Sequence, residues 1–243
     1  MQAWGLTDVG NVRSQNQDSF RIDRISETAL LAVVCDGMGG AKSGNVASRL
    51  AGEVFSEEVL RSFRSDATRE ETEQMLLSAV KLANIAVYEH AQISDAYSGM
   101  GTTLVACLVY EKGTLILNVG DSRAYYIDPD GIRRVTMDHS LVEMMVLRGE
   151  LTPEEAKVHP HRNLITRAVG TSGSVTPDLY FLQPGRGDCF LLCSDGLSNL
   201  MSQQEILFEV AHGVRKDDCC QRLVEIAKER GAPDNVTALL VAV

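Results

Sequence analysis

The chain has 243 residues, 44% of them hydrophobic and 23% charged, which excludes a disordered or fibrous protein. A layered domain of this length commonly forms one unit around one large core, so a single domain over 1–243 is expected. The formal net charge is −10 and lysines and arginines are scattered, which argues against nucleic acid or an anionic membrane as partner; a phosphorylated substrate would need local cations or an arginine to reverse the field.

In chain order, residues 29–35 form an apolar run that predicts a strand. Val46, Ala47, Leu50, Ala51 and Val54 repeat with helical period, as do Met75, Leu76, Ala79, Val80, Ala83, Ala86 and Val87. Strand-like runs follow at 103–110, 114–119, 123–127 and near 132–136. The links Glu111-Lys112-Gly113 and Asp128-Pro129-Asp130-Gly131 are too short for a parallel crossover, so the sheet is largely antiparallel. A more polar segment over roughly 138–178, with Pro153, Pro160, Pro177 and three of the five histidines, reads as an irregular insertion. A strand at 189–193 follows, then a helix through Cys220, Leu223, Val224 and Ala227 that stops at Gly231 and Pro233, then a strand at 236–243. The runs at 30–34 and 104–109 are apolar without alternation, so both their faces must be covered. Two antiparallel sheets face to face with helices outside, an α+β fold in four α-β-β-α layers, satisfy this.

The six cysteines lie mostly in apolar runs without zinc-type pairing and read as buried reduced thiols. No signal-peptide pattern occupies residues 1–8 and no apolar stretch reaches membrane-spanning length, so the cytoplasm is the expected compartment; a monomer is also expected.

Five aspartates stand at strand ends or beside glycine-rich turns: Asp18 in Asn16-Gln17-Asp18, Asp36 in Cys35-Asp36-Gly37-Met38-Gly39-Gly40, Asp121 in Gly120-Asp121-Ser122-Arg123, Asp195 in Ser194-Asp195-Gly196-Leu197, and Asp234 in Pro233-Asp234-Asn235-Val236. Singly, each is a turn residue bonding its own backbone. Together, at the strand ends of one sandwich, they would converge on one edge, and such a concentration of negative charge needs a cation. Oxygen ligands without cysteine or histidine favour Mg²⁺ or Mn²⁺.

These blocks, with Thr7-Asp8-Val9-Gly10, Arg13, Gly101-Thr102-Thr103 and Ile165-Thr166-Arg167-Ala168-Val169-Gly170, lie in the order of the 2C-type metal-dependent protein phosphatases, and the chain resembles their compact bacterial members along its whole length. The resemblance implies a phosphoserine/phosphothreonine phosphatase working through water activated at a binuclear Mn²⁺ or Mg²⁺ centre. Asp36 would bridge the two metals, the Gly37 carbonyl would bind the first, and Asp195 and Asp234 the second. Asp18 would act through metal-bound water, and Asp121 with Asp195 would hold an optional third ion. Arg13 would grip the substrate phosphate, for which a guanidinium fork is suited. Phosphorylated proteins are the implied substrates, with a cognate serine/threonine kinase as the opposing partner, and the insertion at about 138–178 resembles the family's flap.

Gln17 and Met38 replace a glutamate and a histidine found in many eukaryotic relatives; a methionine donates no proton, so water is expected to protonate the leaving group. His139, His159 and His161 are expected at the surface of the insertion, and Met144 and Met145 in the packing of a short helix. Two other functions fit the same sequence: a non-catalytic phosphoprotein-binding module, which would be expected to have lost metal aspartates, and a hydrolase of small phosphate esters. Aspartyl-phosphate chemistry needs a second aspartate where Met38 stands, and no cysteine phosphate loop ending in arginine is present.

Overall fold

The structure is a computed structural model that describes residues 1–39, 43–213 and 215–243; Gly40, the last residue of the Asp36 motif, lies outside the described residues. Eleven strands form two antiparallel sheets among the described residues. One sheet has the order β1-β11-β10-β7-β8, formed by β1 (Gln2–Asp8), β11 (Val236–Ala242), β10 (Cys189–Cys193), β7 (Arg123–Asp128) and β8 (Gly131–Arg134). The other has the order β2-β3-β5-β6-β9, formed by β2 (Asp18–Arg24), β3 (Leu30–Met38), β5 (Leu104–Tyr110), β6 (Gly113–Val119) and β9 (Asp178–Leu182), with the two-residue β4 (Gly101–Thr102) on the end of β3.

The expected layers are present, and strand periodicity accounts for them. Leu31, Val33 and Cys35 of β3 face helices α1 (Gly44–Ser62) and α2 (Arg69–Ala91), whereas Leu30, Ala32 and Val34 face the opposite sheet. In β11, Val236, Ala238 and Leu240 turn outward to α6 (Gln203–His212) and α7 (Cys219–Glu229), while Leu239 and Val241 turn inward. Three apolar interfaces result, in which each fully buried leucine or valine contributes roughly 1.5–3 kcal/mol. Helix α2 starts at a reciprocal cap: the Thr68 hydroxyl accepts from the Glu71 N–H, and the Glu71 carboxylate accepts from the Thr68 N–H. All six cysteines are buried and free.

Strands β1, β2 and β9 and helix α6 were not foreseen. The exposed-side residues of β1 and β2 are too mixed for periodicity to mark them, and β9 lies at the end of the proline-containing segment. That segment holds α3 (Leu141–Leu147) and α4 (Pro153–Val158), and antiparallel bridges join Thr102 to Val169 and Ser140 to Ile165. Among the described residues no helix is long and apolar enough to cross a membrane.

Candidate active site

The antiparallel registers place the aspartate-bearing ends together. Asp18 opens β2 and lies directly opposite Asp36 near the end of β3. Asp121 follows β6, Asp195 follows β10 at the start of the short α5 (Asp195–Ser198), and Asp234 precedes β11. The registers Cys193 to Arg123, Cys193 to Ala238, Leu104 to Val119 and Val105 to Val34 put all these ends at one edge of both sheets. Two carboxylates directly opposite across a strand pair destabilise that pair, so the Asp18–Asp36 match is held against its own electrostatics.

Asp18 is 6% exposed, and its Oδ2 accepts from the hydroxyls of Ser194 at 2.7 Å and Thr237 at 2.6 Å. The Thr7 and Thr237 hydroxyls are 2.7 Å apart, and Asn16 donates to Thr7 at 2.9 Å. Because Thr237 spends its proton on the carboxylate, Thr7 donates to Thr237, and a one-way chain of donors runs from Asn16 to Asp18. The β1-β11-β10 sheet thereby holds one oxygen of an aspartate that stands on the opposite sheet, and Asp18 Oδ1 is buried with no partner among the described residues. Burial, opposed by these hydroxyls and reinforced by the charges of Asp195 and Asp234, raises the Asp18 pKa to about 6.

Asp36 is positioned through its backbone. Its N–H donates to the Thr103 hydroxyl at 2.9 Å, and its carbonyl accepts from the Thr103 N–H at 2.8 Å and the Thr102 hydroxyl at 2.9 Å. Thr103 Oγ1 also meets Ser122 Oγ at 2.7 Å, which ties the Asp36 strand to the Asp121 turn. Desolvation, then the charges of Asp18, Asp195, Asp121 and Asp234, push the Asp36 carboxyl well above its usual range. Asp121 is 8% exposed, its Oδ1 has no protein partner, and burial followed by repulsion from Asp195 and Asp138 raises its pKa to about 8. Asp195 is raised in the same way, by burial first and then by the charge of Asp234.

Backbone packing is tight here. A Cβ on Gly37 would lie 2.0 Å from the Gly44 carbonyl oxygen, and one on Gly196 would lie 1.9 Å from the Asn235 carbonyl oxygen. The glycines that follow Asp36 and Asp195 are therefore required by close backbone approach.

Arg13, on the loop between β1 and β2, donates from Nη2 to Asp234 Oδ2 at 2.7 Å, which raises its pKa further. Asn235 fixes that loop: its Oδ1 accepts from the Gln17 N–H at 2.8 Å, and its Nδ2 donates to the carbonyls of Val9 at 2.9 Å and Gln15 at 3.0 Å. Sequence reading named the aspartates but gave no work to Ser194, Thr237, Thr103 or Asn235, although each lies within or beside one of the motifs. Adjacency was the available signal.

His139 is a correction. Expected at the surface, it is 6% exposed and hydrogen-bonded on both ring nitrogens, because it sits at the root of the insertion against the end of β6. His161 is exposed and His159 half-buried, and Met144 and Met145 are half-buried in α3.

Among the described residues no three histidine, cysteine, aspartate or glutamate side chains already form a metal cage. The residues nonetheless fit hard cations: two buried carboxylate oxygens lack any donor, and four carboxyls are pushed up by burial and by one another. A carboxylate-lined edge on a helix-flanked double sheet is a site suited to hard divalent cations.

Residues 11–240 match the family described as Protein phosphatase 2C. The chain is 35% identical to the serine/threonine phosphatase stp of Listeria innocua over 242 residues, covering 99% of this chain and 95% of that protein. It superposes on the crystal structure of serine/threonine phosphatase Stp1 from Staphylococcus aureus with a TM-score of 0.93 and 38% identity, over 100% of this chain and 94% of the other. The catalytic domain of the phosphatase PstP, solved in complex with two manganese ions, gives a TM-score of 0.84 at 32% identity, over 98% and 96% of the two chains. The chain belongs to the protein phosphatase 2C family and is a serine/threonine phosphoprotein phosphatase.

Proposed function

We propose that the enzyme hydrolyses phosphoserine and phosphothreonine in proteins at a centre of two Mn²⁺ or Mg²⁺ ions, held by Asp36, the Gly37 carbonyl, Asp195 and Asp234. Asp18 supports that centre from the rear, and Asp121 with Asp195 offers a place for a third ion. The observation that carries this reading is the pair of buried, donorless oxygens, Asp18 Oδ1 and Asp121 Oδ1, in a ring of mutually repelling carboxyls. A divalent centre supplies an activated water and neutralises charge on the phosphoryl group during in-line displacement.

The chain's own residues do the rest. Arg13 stands at the rim with its side chain 53% exposed, reachable by a phosphate carried on another protein, and one arm of its fork is held by Asp234. The other arm has no hydrogen-bond partner among the described residues and would bind a phosphoryl oxygen and orient the ester. Thr102 and Thr103 hold Asp36 in place, and Asn235 keeps the Arg13 loop in register with Asp234. No side-chain acid is required, since Met38 has no proton to give and water serves the leaving alkoxide. The enzyme acts in a reducing compartment, which the six buried free thiols support, and opposes a serine/threonine kinase.

The test is phosphate release from phosphothreonine, phosphoserine and phosphotyrosine peptides with Mn²⁺, Mg²⁺ or chelator, for the wild type, Asp36→Asn and Asp195→Asn. Release from phosphothreonine peptide that needs metal and disappears in both variants is expected. Activity surviving chelation, or indifferent to Asp36, would sink the mechanism; hydrolysis of small esters without peptide turnover would replace the substrate assignment.

A further inference from the structure

His139 is the first residue after Asp138 in the insertion, and it touches the site at one point. The Gly120 N–H donates to His139 Nδ1 at 3.0 Å, and the His139 N–H donates to the Gly120 carbonyl at 2.9 Å. Gly120 is thus gripped on both polar atoms by one residue, and Gly120 is the peptide from which Asp121 departs. The turn has little slack. Gly120 has φ +108, a backbone that side chains rarely adopt, and a Cβ there would lie 2.6 Å from Thr103 Cγ2.

A backbone N–H can only donate, so His139 Nδ1 is an acceptor and Nε2 carries the proton. That proton points to Asp178 Oδ2, 3.1 Å away; Arg167 Nη1 lies 3.0 Å from the same ring nitrogen but directs its two protons to the other oxygen of Asp178 at 2.9 Å and the Thr176 carbonyl at 2.9 Å. The Thr166 N–H closes the ring by donating to the His139 carbonyl at 2.8 Å. Residues from the start, middle and end of the 138–178 segment therefore converge on one imidazole, whose far side holds the Gly120 peptide.

We infer that His139 is a positioning residue of the phosphatase, through which the packing of the insertion sets where the Asp121 carboxylate stands. The inference rests on the reading that Asp121 binds a divalent ion. It assigns the insertion a mechanical connection to the metal edge in addition to any contact with substrate. Asp121 Oδ1 has no donor among the described residues, so its placement depends on the Gly120 backbone, which His139 holds on both polar atoms and Asn118 Nδ2 on the carbonyl alone, at 3.2 Å. Partners behind a metal ligand typically change metal affinity by about 10–100-fold when removed.

Calorimetric titration of Mn²⁺ into metal-free protein tests this, with melting curves in chelator and kcat and KM on phosphothreonine peptide at saturating Mn²⁺. The proteins are wild type, Asp121→Asn, His139→Ala and His139→Asn, whose amide oxygen takes nearly the place of Nδ1. Asp121→Asn identifies which binding event uses Asp121. His139→Ala is expected to weaken that event on the order of tenfold while the others stay within about twofold, and to lower kcat with KM little changed. His139→Asn is expected to recover most of the affinity while still melting below the wild type, because it regains the Gly120 bond and not the Asp178 bond.

An unchanged isotherm in His139→Ala, or one unchanged in Asp121→Asn, overturns the inference. So does loss of melting temperature alone in both histidine variants. Should His139→Ala fail to fold, His139→Asn set beside His139→Leu decides, since both lose Asp178 and only the leucine lacks an acceptor for the Gly120 N–H: weakening of the Asp121 event in His139→Leu but not in His139→Asn supports the strut, and equal isotherms in both overturn it. A wild type that binds no Mn²⁺ and releases no phosphate overturns the metal reading itself, a result distinct from any of these.

Discussion

Raising the pH from 6 to 8 is expected to destabilise the metal-free enzyme. A carboxyl whose folded pKa lies above its unfolded value near 3.8 keeps a proton that the unfolded chain has lost, so stability falls with rising pH between the two values. For Asp18, raised to about 6, the decline ends near pH 6. For Asp121, raised to about 8, it continues to pH 8, and Asp36, also pushed well up, adds in the same direction. At about 1.4 kcal/mol per pH unit, Asp121 alone accounts for roughly 2.7 kcal/mol between pH 6 and 8. In a chain of this size that corresponds to a fall in Tm of roughly 5–11 °C. His139 acts oppositely: burial lowers its pKa, so its neutral form adds stability as pH climbs to about 6.5 and little beyond. Carboxyls held low by partners, such as Glu205 at about 2, have finished their contribution by about pH 5. The assay is scanning calorimetry in chelator at pH 6, 7 and 8, repeated with saturating Mn²⁺, where the carboxylates have a counter-charge and the slope should shrink. A Tm that is flat or rises from pH 6 to 8 in chelator would refute the reasoning.

Three further outcomes follow from single contacts. Thr237→Val removes a 2.6 Å bond to a buried carboxylate and strands the Thr7 hydroxyl; a loss of about 1.5–3 kcal/mol is expected in urea unfolding, and a loss under about 0.5 kcal/mol would mean that Ser194 alone holds Asp18. Arg13→Ala should lower kcat/KM for phosphothreonine peptide by roughly 10–100-fold, and Arg13→Lys should restore only part of it, since a lysine keeps the charge without the fork; full activity in the lysine variant would show that charge alone suffices. Gly196→Ala places a methyl 1.9 Å from a backbone oxygen that cannot move independently, so circular dichroism should show it unfolded or melting far below the wild type, and a normal melt would mean that the Asp195 turn is looser than described.

The layers were legible in the sequence because β3, β5 and β11 are buried on both faces, and a strand covered on both sides is apolar at every position instead of at every second one. The aspartates were legible because they stand at strand ends and glycine-rich turns, and the glycines after Asp36 and Asp195 are fixed there by backbone that a Cβ would strike. β1 and β2 were hidden because their side chains are half-buried and polar residues interrupt them, so period-two alternation never emerges. His139 was misread for a different reason. Its neighbours belong to a polar, proline-punctuated stretch, and composition reports the average of that stretch, whereas this one ring faces the sheet end. Ser194, Thr237 and Asn235 adjoin the aspartate motifs, but their roles were hidden because their partners lie up to 226 residues away, on segments brought together only by the fold.

The Asn235 amide carries a further consequence. By holding the backbone at Val9, Gln15 and Gln17, it locks the loop bearing Arg13 to the turn that bears Asp234 and leads into β11. The backbone on both sides of Arg13 and the backbone next to Asp234 are thus held by one side chain. A substitution at Asn235 would therefore disturb the surroundings of Arg13 and Asp234 together, although its side chain bonds to neither of theirs.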